Sequence, residues 1–322
     1  MNLVGIVVTY EPDLISLRKL LKALQSQVNT IVLIDNGSII DVQSLVSEFS
    51  NFSINFVKLH ENLGIAYAQN KGIEWARDSN ATHVLLMDQD SIPLPNMVST
   101  LKDALIHATL DLNNKALVAA VGPSYVDMRS GEKSFFVIER NALPSRWTLA
   151  DNHLNPTYID ATFLISSGML IKLSVLDHIG GKRSNYFIDH VDTEWSFRAI
   201  AKGYRLLGVP AAEMNHTLGD KVKSVWFFGK RQVSYHSPLR DYYMFRNTLL
   251  MLRDVKMNLV WRLHFLWRLV QFAGYFLLFT PERRQRLYCM SLGFWHGLNG
   301  VSGKVDLQTS DCVSIPVTML DP

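Results

Sequence analysis

Short apolar runs alternate with amphipathic stretches over the first ninety residues. Four runs have the length and apolar content of buried strands, at 4–9, 30–34, 54–59 and 83–87. Between them, Leu14–Leu24 repeats apolar residues at helical spacing, and NLGIAYAQNKGIEWAR opens on a glycine turn and predicts a helix that ends near Arg77. Strands that alternate with helices predict an α/β fold with a parallel sheet.

After Leu117 the pattern changes to strand-like pieces separated by turns, among them ALVAAVGPSYVD, SFFVIE and YIDATFLISSGMLI. Helices are expected over 174–179 and about 193–202, the second ending at Gly203, and another strand over Tyr204–Pro210. We therefore expect one domain over residues 1–220 and a separate, helical C-terminal region over 221–322.

Polar residues follow each of the first four predicted strands. They are Thr9, Tyr10 and Glu11, then Asp35 and Asn36, then residues 60–62, and then 88–90. Because the carboxyl ends of parallel strands share one edge of the sheet, these groups predict a ligand crevice there. No GxGxxG or GxxxxGK[ST] follows any strand, which disfavours a dinucleotide-binding domain and a P-loop NTPase.

The apolar run HVLLM ends in Asp88 and Asp90, separated by one glutamine. Two carboxylates this close repel each other unless a cation or water compensates them. Oxygen ligands suit Mg²⁺ or Mn²⁺, which also accept phosphate oxygens. From this tripeptide alone, a capped turn before a helix explains the pair equally well.

Two later residues are weaker candidates. Asp192 lies with Asp189 and Glu194 at a helix start, where a carboxylate can act as a general base but where acids are usually structural. His216, in MNHTLGD, follows the strand that ends at Pro210. It could complete a metal shell if the fold returns it toward Asp90, although a lone histidine is usually not a ligand.

The net charge of +3 on 322 residues is unevenly distributed. From Lys221 to Lys304 there are 14 Lys and Arg against 3 Asp and Glu, mixed with many aromatic residues. Nucleic acid or an anionic membrane surface would suit such a region. The long apolar stretches and the lack of a nucleic-acid motif favour the membrane and argue against nucleic acid as a partner.

The segment Asn258–Phe279 predicts a helix with His264, Arg268 and Gln271 on one face. Its apolar neighbours are Trp261, Leu269, Phe272, Tyr275 and Phe276. The apolar run after Gln271 is too short to span a bilayer. We expect the helix to lie in the membrane interface, with Arg283, Arg284 and Arg286 on anionic head groups. A buried helical hairpin and a dimer interface are the alternatives.

The compartment is indicated by two weaker features. Cys289 and Cys312 do not form a disulfide framework, which favours a reducing compartment. The first residues, MNLVGIVVTYEPD, look like a core strand and not like a secretion signal. Both features predict a cytoplasmic protein.

Taken in order and at their spacings, the motifs resemble the family-two glycosyltransferases of the GT-A fold, in particular bacterial rhamnosyltransferases of polysaccharide assembly. The motifs that carry the resemblance are VVTYEP, IDNGS, NLGIAYAQNKGI, LLMDQDS, SSGMLI, FIDHVDTEWSFR, KGY, NHTLG, YYMFRN and GFWHGLNGVSGK. The resemblance covers nearly the whole chain. It implies a mostly parallel central sheet, with the helical, basic and aromatic C-terminal region added to it.

The resemblance implies that residues 1–220 bind a nucleotide sugar and carry the catalytic site. Asp35 would accept a hydrogen bond from a pyrimidine N–H. The donor-site residues that it implies are Thr9, Tyr10, Glu11, Asp35, Asn36, Asn62, Gly64, Asn70 and Asp88. Asp90, Asp88 and His216 would hold the divalent metal, Mg²⁺ or Mn²⁺.

The family's catalytic base falls at Asp192. The motif is usually Glu-Asp, whereas this chain has Val191-Asp192, so the aspartate is kept and its acidic neighbour is not. The acceptor-side residues implied are Ser167, Gly168, Glu194 and Arg246.

The resemblance also implies partners. The donor would be dTDP-L-rhamnose and the acceptor a polyprenyl-diphosphate-linked saccharide of O-antigen or capsule synthesis, handled at the inner face of the bacterial cell membrane. A galactose, galactofuranose or glucose donor is the alternative, and a homo-oligomer is left open. More distant alternatives are a phosphoaspartate-type phosphohydrolase and a non-catalytic basic peripheral protein.

Overall fold

A computed structural model of the chain describes residues 1–111, 116–128, 131, 133–148, 156–216, 221–226 and 230–306, with the backbone alone over 221–235. The chain divides into two compact units. The first contains Met1–Ser184, Val191–Leu218 and Val255–Met257, and the second contains Asn185–His190, Gly219–Asp254 and Asn258–Pro322. The predicted boundary near residue 220 stays a prediction.

The first unit alternates strands and helices as the apolar pattern predicts. Its strands are β1 Leu3–Thr9, β2 Thr30–Asp35, β3 Ile54–Lys58, β4 His83–Asp88, β5 Ser91–Pro93, β6 Val118–Asp127, β7 Phe136–Arg140, β8 Leu143–Trp147, β9 Ile159–Ala161, β10 Met169–Lys172 and β11 Arg205–His216. Its helices are α1 Leu14–Leu24, α2 Val42–Ser47, α3 Ile65–Asp78, α4 Met97–Leu110, α5 Leu173–Ile179 and α6 Val191–Ala201.

The central sheet of this unit has the order β3-β2-β1-β4-β10-β6-β11-β5, and β9 pairs with β11. The first four strands in that order are parallel, as is β11 with β6. Strands β10, β5 and β9 run antiparallel to their neighbours. The expected α/β fold with a mostly parallel sheet is confirmed.

Helices cover both faces of the sheet, because successive side chains of a strand point to opposite sides. Along β1, Val4 and Ile6 pack in the layer that contains α3, α5 and α6. Leu3 and Val7 pack in the opposite layer with α1, α2 and α4. Burying each of these side chains contributes about 1.5–3 kcal/mol, so the two apolar layers fix the register of the sheet.

The C-terminal region begins with an antiparallel hairpin, which the sequence did not predict. Its strands are β12 Lys221–Trp226 and β13 Lys230–Tyr235. The three helices that follow are α7 Pro238–Asp254, α8 Leu259–Phe279 and α9 Arg283–Leu298. Helix α9 lies directly on α7, and the approach is so close at Gly293 that a Cβ there would clash with the Tyr242 carbonyl oxygen.

Helix α8 directs different residues inward from those expected. Trp261, Leu269 and Phe276, which the sequence predicts on the membrane-facing side, are buried. The apolar side chains that α8 exposes are Leu259, Leu263, Leu266, Trp267, Val270 and Leu278. The inward residues therefore follow the helical-hairpin alternative, while a separate outer face remains apolar. The expected contact of Arg286 with head groups is wrong, because its side chain is buried and donates to Asp241 at 2.6 Å. Among the helices described, none combines the length and apolar character needed to cross a membrane.

Candidate active site

The carboxyl ends of β2, β1 and β4 lie side by side and bring together three of the predicted polar positions. Thr9 pairs with Asp35, and Val8 pairs with Asp88. Gln89 joins the two loops beyond these strands, since it accepts from the Tyr10 N–H at 2.7 Å and donates to the Tyr10 carbonyl at 3.1 Å. The predicted crevice edge is therefore formed by adjacent strand ends.

Asp35 is completely buried at this edge. Its Oδ1 accepts hydrogen bonds from the Thr9 hydroxyl at 3.3 Å and from both the hydroxyl and the backbone N–H of Ser38. Among the described residues, its Oδ2 has no hydrogen-bond partner. A buried carboxylate oxygen costs free energy unless a donor reaches it. This arrangement is suited to an N–H group of a bound ligand.

The loop before α3 is tied to the end of β2 by Asn36 and Asn62. Asn36 donates to Asn62 Oδ1 at 3.0 Å and accepts from the Leu63 N–H at 3.0 Å. Asn62 Oδ1 also accepts from the N–H of Gly64, the N-cap residue of α3. These asparagines thus fix the loop wall of the crevice.

Glu11 links the loops after β1 and β2. Its backbone N–H donates to the Ser38 hydroxyl at 2.9 Å, and its carboxylate accepts from the Ile39 N–H at 2.8 Å. The exposed ring of Tyr10 precedes it. Glu11 therefore orders this rim of the crevice.

Asp88, Asp90 and His216 form a group whose ligand atoms all lie within 4.8 Å of one another. His216 Nδ1 is 3.5 Å from Asp90 Oδ1 and 2.6 Å from the Ser91 hydroxyl. Two carboxylates and an imidazole fit Mg²⁺ or Mn²⁺, and the serine is an outer contact of the kind that orients a ligating histidine. The three predicted metal residues are brought together.

The pairing of β11 with β5 explains why His216 reaches Asp90. His216 is the last residue of β11, not part of a loop after Pro210, and it pairs with Ser91 of β5. Strand β5 also shows that the capped-turn alternative for Asp90 is wrong, because a strand and not a helix follows it.

Asp192 lies in the first turn of α6 and is half-buried. Its Oδ2 accepts from the Ser166 N–H at 2.9 Å. The next residue, Ser167, accepts from the Asp88 N–H at 3.2 Å through its hydroxyl. Two consecutive serines therefore hold the candidate base and a candidate metal ligand in the same part of the unit.

Asn70 acts on the segment after α5. Its side chain accepts from the Lys182 N–H at 2.8 Å and donates to the Lys182 carbonyl at 2.7 Å and to the Ser184 hydroxyl at 3.0 Å. A Cβ at Gly181 would lie 2.6 Å from Asn70 Oδ1, so this approach needs glycine there. Asn70 thus clamps a loop of the site.

The four predicted acceptor-side residues lie in different surroundings. Ser167 accepts from the Asp88 N–H through its hydroxyl. Gly168 follows it with a φ of +78°, in the left-handed region that favours glycine. Glu194 is fully buried, and its carboxylate accepts from Arg183 at 2.7 Å and Arg198 at 2.8 Å. Arg246 is buried in the second unit, where it donates to the carbonyls of 185, 186 and 303. Their acceptor role stays a prediction.

The site also contains residues that the sequence analysis did not single out. Ser38 follows β2 in a turn, where serine is ordinary, and Ser91 begins the three-residue strand β5, which is too short to show a pattern. Lys182 lies in the polar loop GGKRSN, where a lysine is expected to be solvated, yet its side chain is buried. Burial lowers the pKa of Lys182 to about 8, against the opposing attraction of Asp192 and Glu194.

Comparison with known proteins identifies the family. The model of the family "Glycosyl transferase family 2" matches residues 6–179. The chain is 30% identical over 256 residues to the dTDP-rhamnosyl transferase RfbF of Shigella flexneri, covering 78% of this chain and 80% of that protein.

Solved structures share the fold at low identity. S. aureus TarS is similar with a TM-score of 0.56 and 12% identity over 89% of this chain, which spans 47% of TarS. Its 1–349 fragment in complex with UDP-GlcNAc gives a TM-score of 0.54 at 13% identity, over 92% of this chain and 89% of that one. The structure of GalNAc-T7 with UDP, GalNAc and Mn²⁺ is similar with a TM-score of 0.55 and 13% identity, over 87% of this chain and 58% of that one. These likenesses confirm the GT-A fold, and the matched family model shows that the chain is a member of glycosyl transferase family 2.

Proposed function

We propose that the protein is an inverting glycosyltransferase that transfers L-rhamnose from dTDP-L-rhamnose to a hydroxyl of a polyprenyl-diphosphate-linked saccharide in bacterial surface polysaccharide synthesis. The single observation that carries the reaction type is the Ser166–Ser167 pair, which binds Asp192 through one residue and Asp88 through the next. The donor is proposed from the likeness to a dTDP-rhamnosyl transferase.

In the proposed mechanism Asp192 is the general base. Its Oδ2 is oriented by the Ser166 N–H, which leaves Oδ1 to take the proton of the acceptor hydroxyl. As it loses that proton, the acceptor oxygen attacks the anomeric carbon from the face opposite the diphosphate, so the anomeric configuration inverts. A divalent ion held by Asp88, Asp90 and His216 would supply Lewis-acid stabilisation of the departing diphosphate.

The nucleotide end is assigned to the β1–β2 edge. There the Oδ2 of Asp35 is an acceptor for the pyrimidine N–H, and the Asn36–Asn62 pair shapes the adjoining wall. Thymine or uracil would be selected because its ring N3–H can donate to this carboxylate, whereas the ring N3 of cytosine is an acceptor and would be repelled. The two more distant alternatives, a phosphohydrolase and a non-catalytic protein, lose their support with the family assignment.

We further propose that the second unit holds the enzyme at an anionic membrane, on the inner face of the cell membrane. Its support is the exposed apolar face of α8, which includes Trp267 at 58% exposure, together with the exposed Arg268, Arg283 and Arg284. Apolar side chains beside arginines are the combination that binds the interface of anionic lipid.

A thermal-shift panel tests the donor. The protein would be heated with dTDP-L-rhamnose, with dTDP, UDP and GDP sugars of the galactose and glucose types, and with the metal alone. We expect the largest metal-dependent rise in Tm with dTDP-L-rhamnose, because a ligand that binds only the folded state stabilises it. A larger shift with a UDP-hexose would replace the rhamnose assignment.

A further inference from the structure

Lys182 has an ammonium group that the described structure leaves poorly satisfied. The side chain is 3% exposed, so bulk water has little access to it. Its Nζ is 3.8 Å from Met169 Sδ and 4.6 Å from the centroid of the Trp195 ring. A thioether and an aromatic face are weak partners for a group with three N–H donors. Within the described residues, no carboxylate oxygen comes within 4.0 Å of Nζ.

The charges around this ammonium are those of the proposed reaction centre. Asp192, Glu194 and Asp88 attract it, and Arg198 repels it. Glu194 already binds Arg183 and Arg198. The remaining attraction therefore comes from the candidate base and from a candidate metal ligand.

The contacts of Nζ agree with this placement. Its thioether neighbour, Met169, follows Ser167 by two residues. Trp195, whose ring it faces, follows Asp192 by about one turn of α6. The ammonium therefore contacts both of the segments that hold Asp88 and Asp192.

The lysine is held in this position by its own loop. Asn70 clamps the Lys182 backbone on both its N–H and its carbonyl. The Trp195 indole that underlies the ammonium donates to the Gly180 carbonyl at 2.9 Å. Burying a charge costs free energy. A loop that is nevertheless fixed this firmly around a buried ammonium is evidence that the ammonium has a binding role.

The proposed reaction determines what lies at this point. The anomeric carbon must stand between the diphosphate, at Asp88, and the base, at Asp192. An ammonium that contacts the segments holding both residues therefore lies beside the sugar that is transferred. We propose that Lys182 is a specificity-determining residue whose ammonium donates a hydrogen bond to a hydroxyl oxygen of the transferred sugar. The inference rests on the proposed function.

The role has a clear chemical consequence. A sugar hydroxyl satisfies the ammonium, whereas a donor without that hydroxyl leaves a buried charge unpaired. A site built in this way discriminates strongly against the analogue that lacks the group. Nothing in this role involves the nucleotide or the diphosphate, which separates it from the functions of Asp35 and of the metal group.

The test compares two ligands on matched variants. Isothermal titration with Mn²⁺ present would measure the affinities for dTDP-L-rhamnose and for dTDP in the wild type, K182M and K172M. K172M is the control, because it makes the same substitution at an exposed lysine at the end of β10. We expect K182M to bind dTDP-L-rhamnose about tenfold or more weakly, as for loss of a charged hydrogen bond. Binding of dTDP should be unchanged, and K172M should behave as the wild type.

The outcomes separate the alternatives. An equal loss for dTDP and dTDP-L-rhamnose would show that the ammonium serves the nucleotide, and no loss for either would show that it binds no substrate. Both results overturn the proposal, as does an equal effect of K172M. A wild type that binds dTDP but no dTDP-sugar would instead overturn the proposed function, and this inference with it. If K182M does not fold, K182L provides the same comparison.

Discussion

At the residue scale, the candidate site is built from carboxylates that share their two oxygens between the protein and an expected ligand. Asp35 Oδ1 accepts hydrogen bonds from Thr9 and Ser38, and Asp192 Oδ2 accepts from the Ser166 N–H. Internal bonds of this kind hold a side chain in one rotamer before any ligand arrives. The substrate then meets groups that need no further ordering.

Asp35→Asn should weaken nucleotide binding. Because the Ser38 N–H must keep an oxygen acceptor, the amide NH₂ of the variant would replace Oδ2 and face the ligand N–H. We expect dTDP affinity to fall about 10- to 100-fold, the cost of losing a charged hydrogen bond. Isothermal titration measures it. Asp41→Asn, at the exposed N-cap of α2, is the control and should bind as the wild type. Equal affinity in Asp35→Asn would refute the nucleobase contact.

Lys182→Met should stabilise the fold at neutral pH. Burial lowers the pKa of Lys182 from 10.5 to about 8, so below about pH 8 the folded state carries a penalty for the ammonium that the unfolded state lacks. The penalty is up to about 3 kcal/mol. It shrinks as pH rises from 8 and vanishes above 10.5, where both states are neutral.

Urea unfolding at pH 7 and pH 10 checks this sign. The gain in unfolding free energy of Lys182→Met over the wild type should be larger at pH 7. Comparing the two proteins at each pH cancels the titration of all other groups. The contrary result is a variant that is less stable than the wild type by the same amount at pH 7 and at pH 10. That result would mean that Lys182 contributes packing and that its burial carries no charge penalty.

At the element scale, the pairing of β5 with β11 builds the metal group. Strand β5 has only three residues, yet it places Ser91 opposite His216. The sequence could not reveal this, because a three-residue strand carries no periodicity and Pro210 within β11 looks like a strand end. In the structure Pro210 falls where the register of β11 on β6 shifts, a position at which a missing N–H is tolerated.

Ser91→Ala tests the contribution of β5. The serine hydroxyl contacts His216 Nδ1 and would fix the orientation of the ring. We expect Mn²⁺ affinity to fall about tenfold, the usual effect of an outer-shell partner. Ser99→Ala, an exposed serine of α4, should leave the affinity unchanged. The measurement is a Mn²⁺ titration in the presence of dTDP. An unchanged affinity in Ser91→Ala would remove the serine from the metal group.

The repeating elements of the fold were predictable, whereas the irregular ones were not. Helix α1 and the strands β1 to β4 follow their apolar periods closely. The run SFFVIE predicted strand β7, whereas helices α2 and α4, strand β8 and the hairpin β12–β13 were not predicted. The carboxylates Asp88, Asp90 and Asp192 could be singled out from the sequence, because the first two end an apolar strand and the third starts a helix, and the resemblance to a family assigned each of them a role. Ser38, Ser91, Ser166 and Lys182 were not found, because only the tertiary structure brings them to the site.

At the scale of the whole molecule, charge and exposed apolar surface are concentrated in the C-terminal part of the chain. The stretch from Lys221 to Lys304 holds 14 basic residues against 3 acidic ones. Helix α8 within it exposes Leu263, Leu266, Trp267 and Val270 at helical spacing. An apolar face of this kind on a folded protein usually marks a docking surface.

Vesicle sedimentation tests whether that surface binds lipid. At low salt we expect the protein to sediment with vesicles that contain anionic lipid, and to be released by salt, which screens the arginines. The triple variant L263Q/W267Q/V270Q should lose binding. The matched variant I106Q/L110Q, on the exposed face of α4, should keep it. A wild type that stays in the supernatant and elutes as a dimer would favour the dimer-interface alternative.

We propose that Asp192 is the base of a transfer reaction and that other residues hold the donor. The most direct test measures turnover and donor binding together in Asp192→Asn, with dTDP-L-rhamnose, Mn²⁺ and a lipid-linked saccharide acceptor. We expect turnover to fall about 10²- to 10⁴-fold, the contribution of a positioned base, while donor affinity stays at the wild-type value. An Asp192→Asn enzyme with wild-type turnover would contradict the account.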